Sequence, residues 1–287
     1  MIRFFLLSIF ILPLSTIAQV KENYSIFTGD GKTASYEKMV SALSKAEVVF
    51  FGELHDNALA HWLELQLLKD LYALNNQVTL GMEMFESDDQ IIIDEYIDNL
   101  IEEKQLLAEA KLWDNYKTDY RPLVDFARQK KIPIIATNVP RRYANMVYRK
   151  GVESLDSLQL ESKKWMTPLP LQVDYSLTSY KSMMEQMGQH GSGSGKNLVA
   201  SQALKDATMA HFIAMHQKKG NRFFHVNGAY HTQDYQGIIT YFLKLKPDLK
   251  IVSVHVAEQT SINTLDSAHH GKADFILCIV DDMTKSY

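Results

Sequence analysis

The chain has 287 residues, of which 46% are hydrophobic and 22% are charged, as is ordinary for a globular domain. Its formal net charge is -4, which argues against nucleic acid as a partner because nucleic-acid binding requires basic patches. The single cysteine, Cys278, excludes a disulfide within the chain and lies in an apolar run that is typical of a buried strand.

Residues 1–18 have the order of features that is typical of a secretory signal peptide. Arg3 is followed by an almost entirely apolar run over residues 4–14, and the small residues Thr16 and Ala18 mark a cleavage site. This run is short for a transmembrane helix, and the alternatives are an uncleaved anchor or a buried first strand. We expect cleavage near Ala18 and a periplasmic or secreted product. No cysteine lies at the expected cleavage site, so we expect no lipoprotein attachment.

Six short apolar runs alternate with helical patterns along the rest of the chain. The runs are rich in β-branched and aromatic residues and lie at 48–53, 78–83, 132–138, 223–228, 251–256 and 275–280. Helical periodicity covers residues 58–74, 88–100, 120–130 and 201–217. Continuous apolar strands indicate a sheet that is covered on both faces. We therefore expect a three-layer α/β/α sandwich with a largely parallel mixed sheet, whose last two strands could run antiparallel.

The region at about residues 152–200 breaks this alternation. It contains several prolines, tyrosines and methionines, and its Gly/Ser run at 191–195 is typical of a flexible loop. We therefore expect residues 19–287 to form a single domain with a helical cap inserted at about 152–200. Caps often complete ligand pockets, which favour the carboxyl ends of the strands in such folds.

Polar residues follow four of the predicted strands at the point where each strand ends. They are Glu53 with His55, Glu83, Asn138 with Arg141, and His231. Because the carboxyl ends of parallel strands meet at one edge of a sheet, two carboxylates and two histidines should converge there. Buried charges need a partner or a metal, so Glu53, His55, Glu83 and His231 are candidate metal ligands or acid–base catalysts.

Each of these residues also has a purely structural interpretation. Glu53 is suited to capping the helix that follows it, since a carboxylate is stabilised near a helix amino terminus. His231 taken alone is typical of a core histidine with satisfied hydrogen bonds. His61, a few residues beyond the first strand, is expected to pack within the helix layer or to face out of it.

An ordered set of motifs between about residues 48 and 243 resembles the ChaN-like haem-uptake proteins. The motifs are residues 52–56 with His61, 81–85 with Gln90, Trp113, 120–123 with Ala127, 138–141, Gln202, Asp206, 209–210 and 228–231. The ordered set is specific and covers most of the mature chain. The resemblance implies a domain shape shared with the Tiki and TraB proteins and with erythromycin-esterase-like enzymes, some of which are metal-dependent proteases or hydrolases.

The resemblance further implies that haem lies between two protomers. A tyrosine of one protomer would ligate the iron, while a histidine and a lysine of the other would hold the propionates. The candidates in this chain are Tyr175 and Tyr180 as ligands, and His190, Lys196 and Arg141 as further contacts. The alternative is that the tyrosines simply pack the cap and that His190 is solvated.

Two features of the chain depart from the family. The chain lacks the lipoprotein cysteine of some relatives, and it carries Tyr230 before His231, where a small or polar residue is expected. Both departures put a simple transfer of the family's properties in doubt.

Three functions follow from these observations. The first is an exported haem-binding protein of haem or iron uptake, acting as a homodimer with an outer-membrane haem or iron receptor as a further partner. The second is a metal-dependent hydrolase, an esterase or a peptidase, that uses a divalent metal or acid–base chemistry at the strand ends. The third is a scaffold that binds a partner protein through its cap. The gathering of polar residues at strand ends favours a small-molecule site over the scaffold.

Overall fold

The structure is a computed structural model that describes residues 22–189 and 195–287. The expected signal peptide, residues 1–18, and His190 lie outside the described residues. Within the described ranges, no helix is long and apolar enough to cross a membrane.

One mixed sheet of eight strands forms the centre of the described chain. The strands are β1 (Tyr24–Thr28), β2 (Thr33–Ala34), β3 (Val48–Glu53), β4 (Val78–Glu86), β5 (Ile134–Asn138), β6 (Arg222–Gly228), β7 (Ile251–Gln259) and β8 (Phe275–Val280). Their order is β2-β1-β8-β7-β3-β6-β4-β5. All neighbours from β8 to β5 run parallel, whereas β1 is antiparallel to both β2 and β8. All six predicted strands are present, and the largely parallel mixed sheet is confirmed.

The last two strands correct one expectation, because β7 and β8 run parallel rather than antiparallel. Parallel pairing needs a long crossover, and the connection over residues 260–274 returns the chain to the starting end of the sheet. Ile262 and Leu265 of this connection pack against Cys278, which is fully buried as expected. The antiparallel partner of β8 is instead β1, a short strand that is not part of the β–α alternation.

Helices cover both faces of the sheet. They are α1 (Tyr36–Leu43), α2 (Ala58–Leu74), α3 (Gln90–Ile97), α4 (Glu103–Glu109), α5 (Arg121–Lys130), α6 (Arg141–Lys150), α7 (Leu160–Lys163), α8 (Thr178–Gln189), α9 (Gly195–His216) and α10 (Ile238–Leu245). Helices α1 to α5 share one core with Val49 and Phe51 of β3. Helices α8 to α10 share a second core with Val48 and Phe50. Alternate residues of one strand thus enter opposite cores, and the three-layer α/β/α sandwich is confirmed.

The region at residues 152–200 adds to the helix layer that contains α9. It includes a 3₁₀ stretch (Val152–Ser157), α7, α8 and the beginning of α9. Tyr180 of α8 enters the second core together with Val199 of α9. This packing places the region beside the amino end of α9. Because α9 precedes β6, that end of the helix lies on the side of the sheet where the parallel strands finish.

Candidate functional site

The carboxyl edge of the parallel strands holds the polar residues that end those strands in the sequence. Glu53 ends β3 and pairs in register with Gly228, which ends β6. Asn138 ends β5, and its side-chain amide donates to the backbone oxygen of Glu83 in β4 at 3.1 Å. His231 follows β6 in a short 3₁₀ turn. The four strand ends therefore bring their polar residues to one edge.

An open cavity of about 550 Å³, here called the edge cavity, lies over this edge. The lining residues that matter below are His55, Glu83, Trp113, Arg141, Lys205 and His231. The His55 side chain is 34% exposed, and its ring packs edge-on against Trp113 with the centroids 4.9 Å apart. Gly228 makes room for this ring, since a Cβ atom there would lie 2.6 Å from His55 Nε2. His55 is thus a positioned imidazole that solvent reaches.

Glu53 lies at the centre of a first buried cluster. Its Oε1 accepts a hydrogen bond from the Tyr120 hydroxyl at 2.7 Å and lies 2.5 Å from His55 Nδ1. Its Oε2 lies 3.1 Å from His61 Nδ1, which is also 3.4 Å from Glu64 Oε2. His61 and Glu64 both come from α2, so one histidine serves two buried carboxyl groups.

The pKa values of this cluster show which charges persist. Burial alone would raise the pKa of Glu53, but hydrogen bonds from His55 and His61 hold it below its ordinary range. Burial, together with the charge of Glu53, raises the pKa of Glu64 well above its ordinary value. Burial opposes protonation of His61, yet Glu64 and Glu53 raise its pKa to about 11. Without a bound cation, the surroundings therefore favour the charged forms of Glu53 and His61 and disfavour the charged form of Glu64.

His231 lies between two carboxylates in a second buried cluster. Its Nε2 is 3.0 Å from Glu83 Oε1, and its Nδ1 contacts Asp206 Oδ1. Asp206 Oδ2 accepts a hydrogen bond from the Tyr180 hydroxyl at 2.6 Å, and Glu83 Oε2 accepts one from the backbone N–H of Gly228 at 2.8 Å. Both ring nitrogens of His231 therefore face carboxylate oxygens. An imidazolium held in this way has no lone pair to offer to a metal.

The second cluster predicts a stability maximum in mildly acidic solution. Burial raises the pKa of Glu83, but His231 outweighs it and lowers the value from 4.5 to about 2. Burial lowers the pKa of His231, but Glu83 and Asp206 outweigh it and raise the value from 6.5 to about 10. Ionised Glu83 therefore stabilises the fold above pH 4.5, and this contribution is lost as the pH falls towards about 2. Protonated His231 stabilises the fold below pH 6.5, and this contribution is lost as the pH rises towards about 10.

We therefore expect thermal unfolding to give the highest Tm between about pH 4.5 and pH 6.5. The variant His231→Gln serves as the control, because its side chain does not titrate and the decline on the alkaline side should shrink. A Tm that stays flat on both sides of this window would contradict a charged second cluster.

The two candidate haem-ligating tyrosines of the cap have different surroundings. Tyr180 is buried, and its hydroxyl is committed to Asp206. Tyr175 is half-buried, and its hydroxyl makes no hydrogen bond to any residue in the described ranges. Lys196 is exposed, and its Nζ lies 5.3 Å from the centroid of the Tyr175 ring. Burial, together with the charge of Glu153, raises the pKa of Tyr175.

Arg141 begins α6 at the rim of the edge cavity, where its side chain is 62% exposed. Its Nε donates to Glu86 Oε1 at 2.5 Å, so its carboxylate partner is Glu86 rather than Glu53 or Glu83. Lys205 of α9 lines the same cavity. The rim therefore carries two basic side chains.

The structure adds contacts and residues that the sequence pattern missed. His61 is buried in the helix layer, which is one of the two positions expected for it, and it also contacts Glu53 and Glu64. Glu64 was missed, and Asp206 was recognised only as part of a motif. A local signal existed for His61 and Glu64, because they are three residues apart on α2 and therefore share a helix face. The partnership of Asp206 with His231 had no local signal, since it joins α9 to the turn after β6.

A family model described as haem-binding uptake, Tiki superfamily, ChaN matches residues 39–242. Among solved structures, ChaN of Campylobacter jejuni, described as binding haem cofacially, is similar with a TM-score of 0.68. It is 23% identical, and the match covers 89% of this chain and 96% of that one. An erythromycin esterase in its open conformation has a TM-score of 0.54 and 8% identity over 92% of this chain and 98% of that one. At these identities, both likenesses show the shared fold alone.

A curated plant protein matches a smaller part of the chain. Protein RETICULATA-RELATED 5, chloroplastic, of Arabidopsis thaliana is 24% identical over 147 residues, which is 49% of this chain. The match spans only 19% of the length of that relative.

The family match begins within α1 and ends within α10, so it takes in both buried clusters, most of the residues that line the edge cavity, and residues 152–200. It confirms the resemblance that the ordered motifs indicate. The chain therefore belongs to the ChaN family of haem-binding uptake proteins in the Tiki superfamily.

Proposed function

We propose that this protein is an exported haem-binding protein that serves haem or iron uptake and binds haem as a homodimer. The observation that carries the proposal is the match of the haem-binding family model to residues 39–242. Export is supported by the pattern of charge, apolar core and small residues at 1–18. An outer-membrane haem or iron receptor is the partner that such a role requires.

The region at residues 152–200 carries two of the groups that a haem site needs. A ferric haem needs an axial ligand, an apolar surface for its ring and cations for its propionates. Tyr175 supplies a phenol whose hydroxyl is free of described partners, on a side chain that is only partly buried. Lys196, beside that ring, supplies a cation. In a haem complex, Tyr175 would supply a phenolate oxygen as a ligand for the ferric iron.

Of the two candidate tyrosines, we assign the axial role to Tyr175. The hydroxyl of Tyr180 would have to leave Asp206, which would strip a hydrogen bond from a buried carboxylate. Lys196 and His190 are the proposed propionate contacts across the dimer. Arg141 at the edge cavity is a further cation for a propionate.

Titration of the purified chain with haemin tests this function. We expect saturable binding at micromolar or tighter affinity, an absorption spectrum typical of high-spin ferric haem with a phenolate ligand, and dimer formation on size-exclusion chromatography. The control is the same titration of the chain unfolded in guanidinium chloride. If the folded chain gives no more than the spectrum of the unfolded control, haem binding by this protein is refuted.

The second candidate function is a hydrolase that works at the edge cavity. The observation that favours it is the pair of His55 and Glu53, with the imidazole partly open to the cavity and held at Nδ1 by the carboxylate. Burial lowers the pKa of His55, but the hydrogen bond to Glu53 and the charges of Glu83 and Glu53 together outweigh it, and the pKa lies above its ordinary value. Such an imidazole can exchange protons with an ester or peptide substrate.

A further inference from the structure

We infer that Glu53, His61 and Glu64 form a buried binding site for one divalent transition-metal ion of the Zn²⁺ or Mn²⁺ class. These three residues, here called the α2 metal cluster, are separate from the cap and from His231. The inference does not rest on the proposed haem function. The argument depends on the spacing of the ligand atoms, the orientation of the histidine, a buried carboxyl oxygen without a hydrogen bond, and the donor set.

The spacing of the donor atoms matches a tetrahedral ion. One ligand atom from each residue lies within 4.8 Å of the other two. His61 Nδ1 is 3.1 Å from Glu53 Oε2 and 3.4 Å from Glu64 Oε2. Metal–ligand bonds of about 2.0–2.2 Å at tetrahedral angles place neighbouring ligand atoms about 3.3–3.6 Å apart. An ion therefore fits with only small shifts of the side chains.

The histidine is oriented as a metal ligand requires. His61 Nε2 lies 3.1 Å from the backbone oxygen of His55 and 3.6 Å from Asp119 Oδ2. Metal-binding histidines commonly donate their second N–H to a backbone carbonyl or a carboxylate, which fixes the tautomer. With its proton on Nε2, His61 directs the lone pair of Nδ1 at the two carboxyl groups. Asn115 fixes the two oxygens that face His61 Nε2, because its side-chain amide donates to both His55 O and Asp119 Oδ2.

One buried oxygen of the cluster, Glu64 Oε1, makes no hydrogen bond to any described residue. Glu53 Oε2 lies 3.1 Å from His61 Nδ1, the nitrogen that would turn its lone pair to an ion. Both side chains have no exposed surface. A buried carboxylate oxygen without a hydrogen bond is costly, and a cation removes that cost by direct coordination. Glu53 Oε1, by contrast, already has Tyr120 and His55 as partners, so only its second oxygen remains for an ion.

The donor set indicates the class of ion. One imidazole nitrogen with carboxylate oxygens suits Zn²⁺ or Mn²⁺, whereas Ca²⁺ and Mg²⁺ favour oxygen ligands throughout. Two carboxylates balance the charge of a divalent ion bound by a neutral histidine. Glu53 also lines a cavity of about 480 Å³ beside His55 and Gly228, so solvent lies close to one side of the cluster.

The test is a metal-binding measurement on the haem-free full chain. Because no haem is present, a negative result would refute the metal site and would leave the haem proposal unaffected. The chain is stripped with a chelator, dialysed against Zn²⁺ with a weak competing chelator, and analysed for bound metal by elemental analysis. We expect one ion per chain. We also expect a rise in Tm of about 5 °C at a free Zn²⁺ concentration a hundredfold above Kd.

The variants Glu64→Gln and His61→Gln should each lose the bound ion and the Zn²⁺-dependent rise in Tm. Glu83→Gln is the matched control, because it removes a buried carboxylate from the second cluster and should leave one ion bound. Near-ultraviolet circular dichroism confirms that each variant is folded, and Glu64→Gln preserves shape if His61→Gln does not fold. A parent chain that retains no metal would overturn the inference. Loss of the ion from Glu83→Gln but not from Glu64→Gln would also overturn it.

Discussion

His231→Ala is expected to lower the free energy of unfolding by about 3–5 kcal/mol, the range for breaking a buried ion pair by removing one partner. In the parent chain, the imidazolium lies between Glu83 and Asp206, and both carboxylates are almost completely buried. Without the imidazolium, two buried negative charges face each other with no cation between them. Chemical denaturation with guanidinium chloride measures the loss, provided that the slope of the transition is unchanged.

Two further variants separate charge from packing. His211→Ala removes a histidine from α9 that is only half-buried and has no carboxylate partner in the described chain, so it should cost no more than about 1 kcal/mol. Glu83→Gln in the His231→Ala background should recover part of the lost stability, because it removes one of the two uncompensated charges. An additive double mutant would mean that Glu83 and His231 do not share a charge network.

Tyr175→Phe is expected to remove the phenolate-type spectrum of the haemin complex and to weaken haemin binding by at least about tenfold, which is 1.4 kcal/mol. The substitution keeps the ring beside Lys196 and removes only the oxygen proposed to ligate the iron. The spectrum and Kd of the parent chain are measured alongside by titration with haemin.

Tyr180→Phe is the matched control within the same helical region. Its hydroxyl is bonded to Asp206 in the core, so the variant should keep the haemin spectrum. It should lose about 1.5–3 kcal/mol of stability, because it removes a hydrogen bond to a charged group. The reverse outcome, with the spectrum lost only in Tyr180→Phe, would show that α8 rearranges to free Tyr180 and would end the assignment to Tyr175.

The central strands were predictable because they are buried on both faces. A strand such as β3 places alternate residues in two different cores, so its whole length is apolar, and such runs stand out against the helical periodicity around them. The strand β1 did not stand out. It is short and only partly buried. It pairs antiparallel with β8, which lies near the other end of the sequence, and no local sequence pattern reveals a pairing between such distant segments.

The convergence of Glu53, Glu83, Asn138 and His231 followed from the sequence once the sheet was taken as parallel. The pairing of their side chains did not follow. His61 and Glu64 lie on α2, which packs back over β3 and places His61 against Glu53 and Glu64. Asp206 lies on α9, which places it against His231. These contacts depend on how each helix packs back over its strand. That packing is set by the whole core rather than by the residues at the site.

The fold class, the family and the edge of the sheet at which polar groups gather could all be predicted before the structure, because periodicity and motif order are local properties of the chain. The pairing of carboxylates with histidines depended on tertiary contacts, and so did the difference between Tyr180 and Tyr175, whose hydroxyl has no hydrogen-bond partner among the described residues. Nothing in the local sequence distinguishes Tyr175 from Tyr180. The packing of α8 against α9 buries Tyr180 with its hydroxyl on Asp206, whereas Tyr175 is only partly buried. These differences could not be predicted from local patterns, because burial and charge pairing arise from contacts between segments that are distant in sequence.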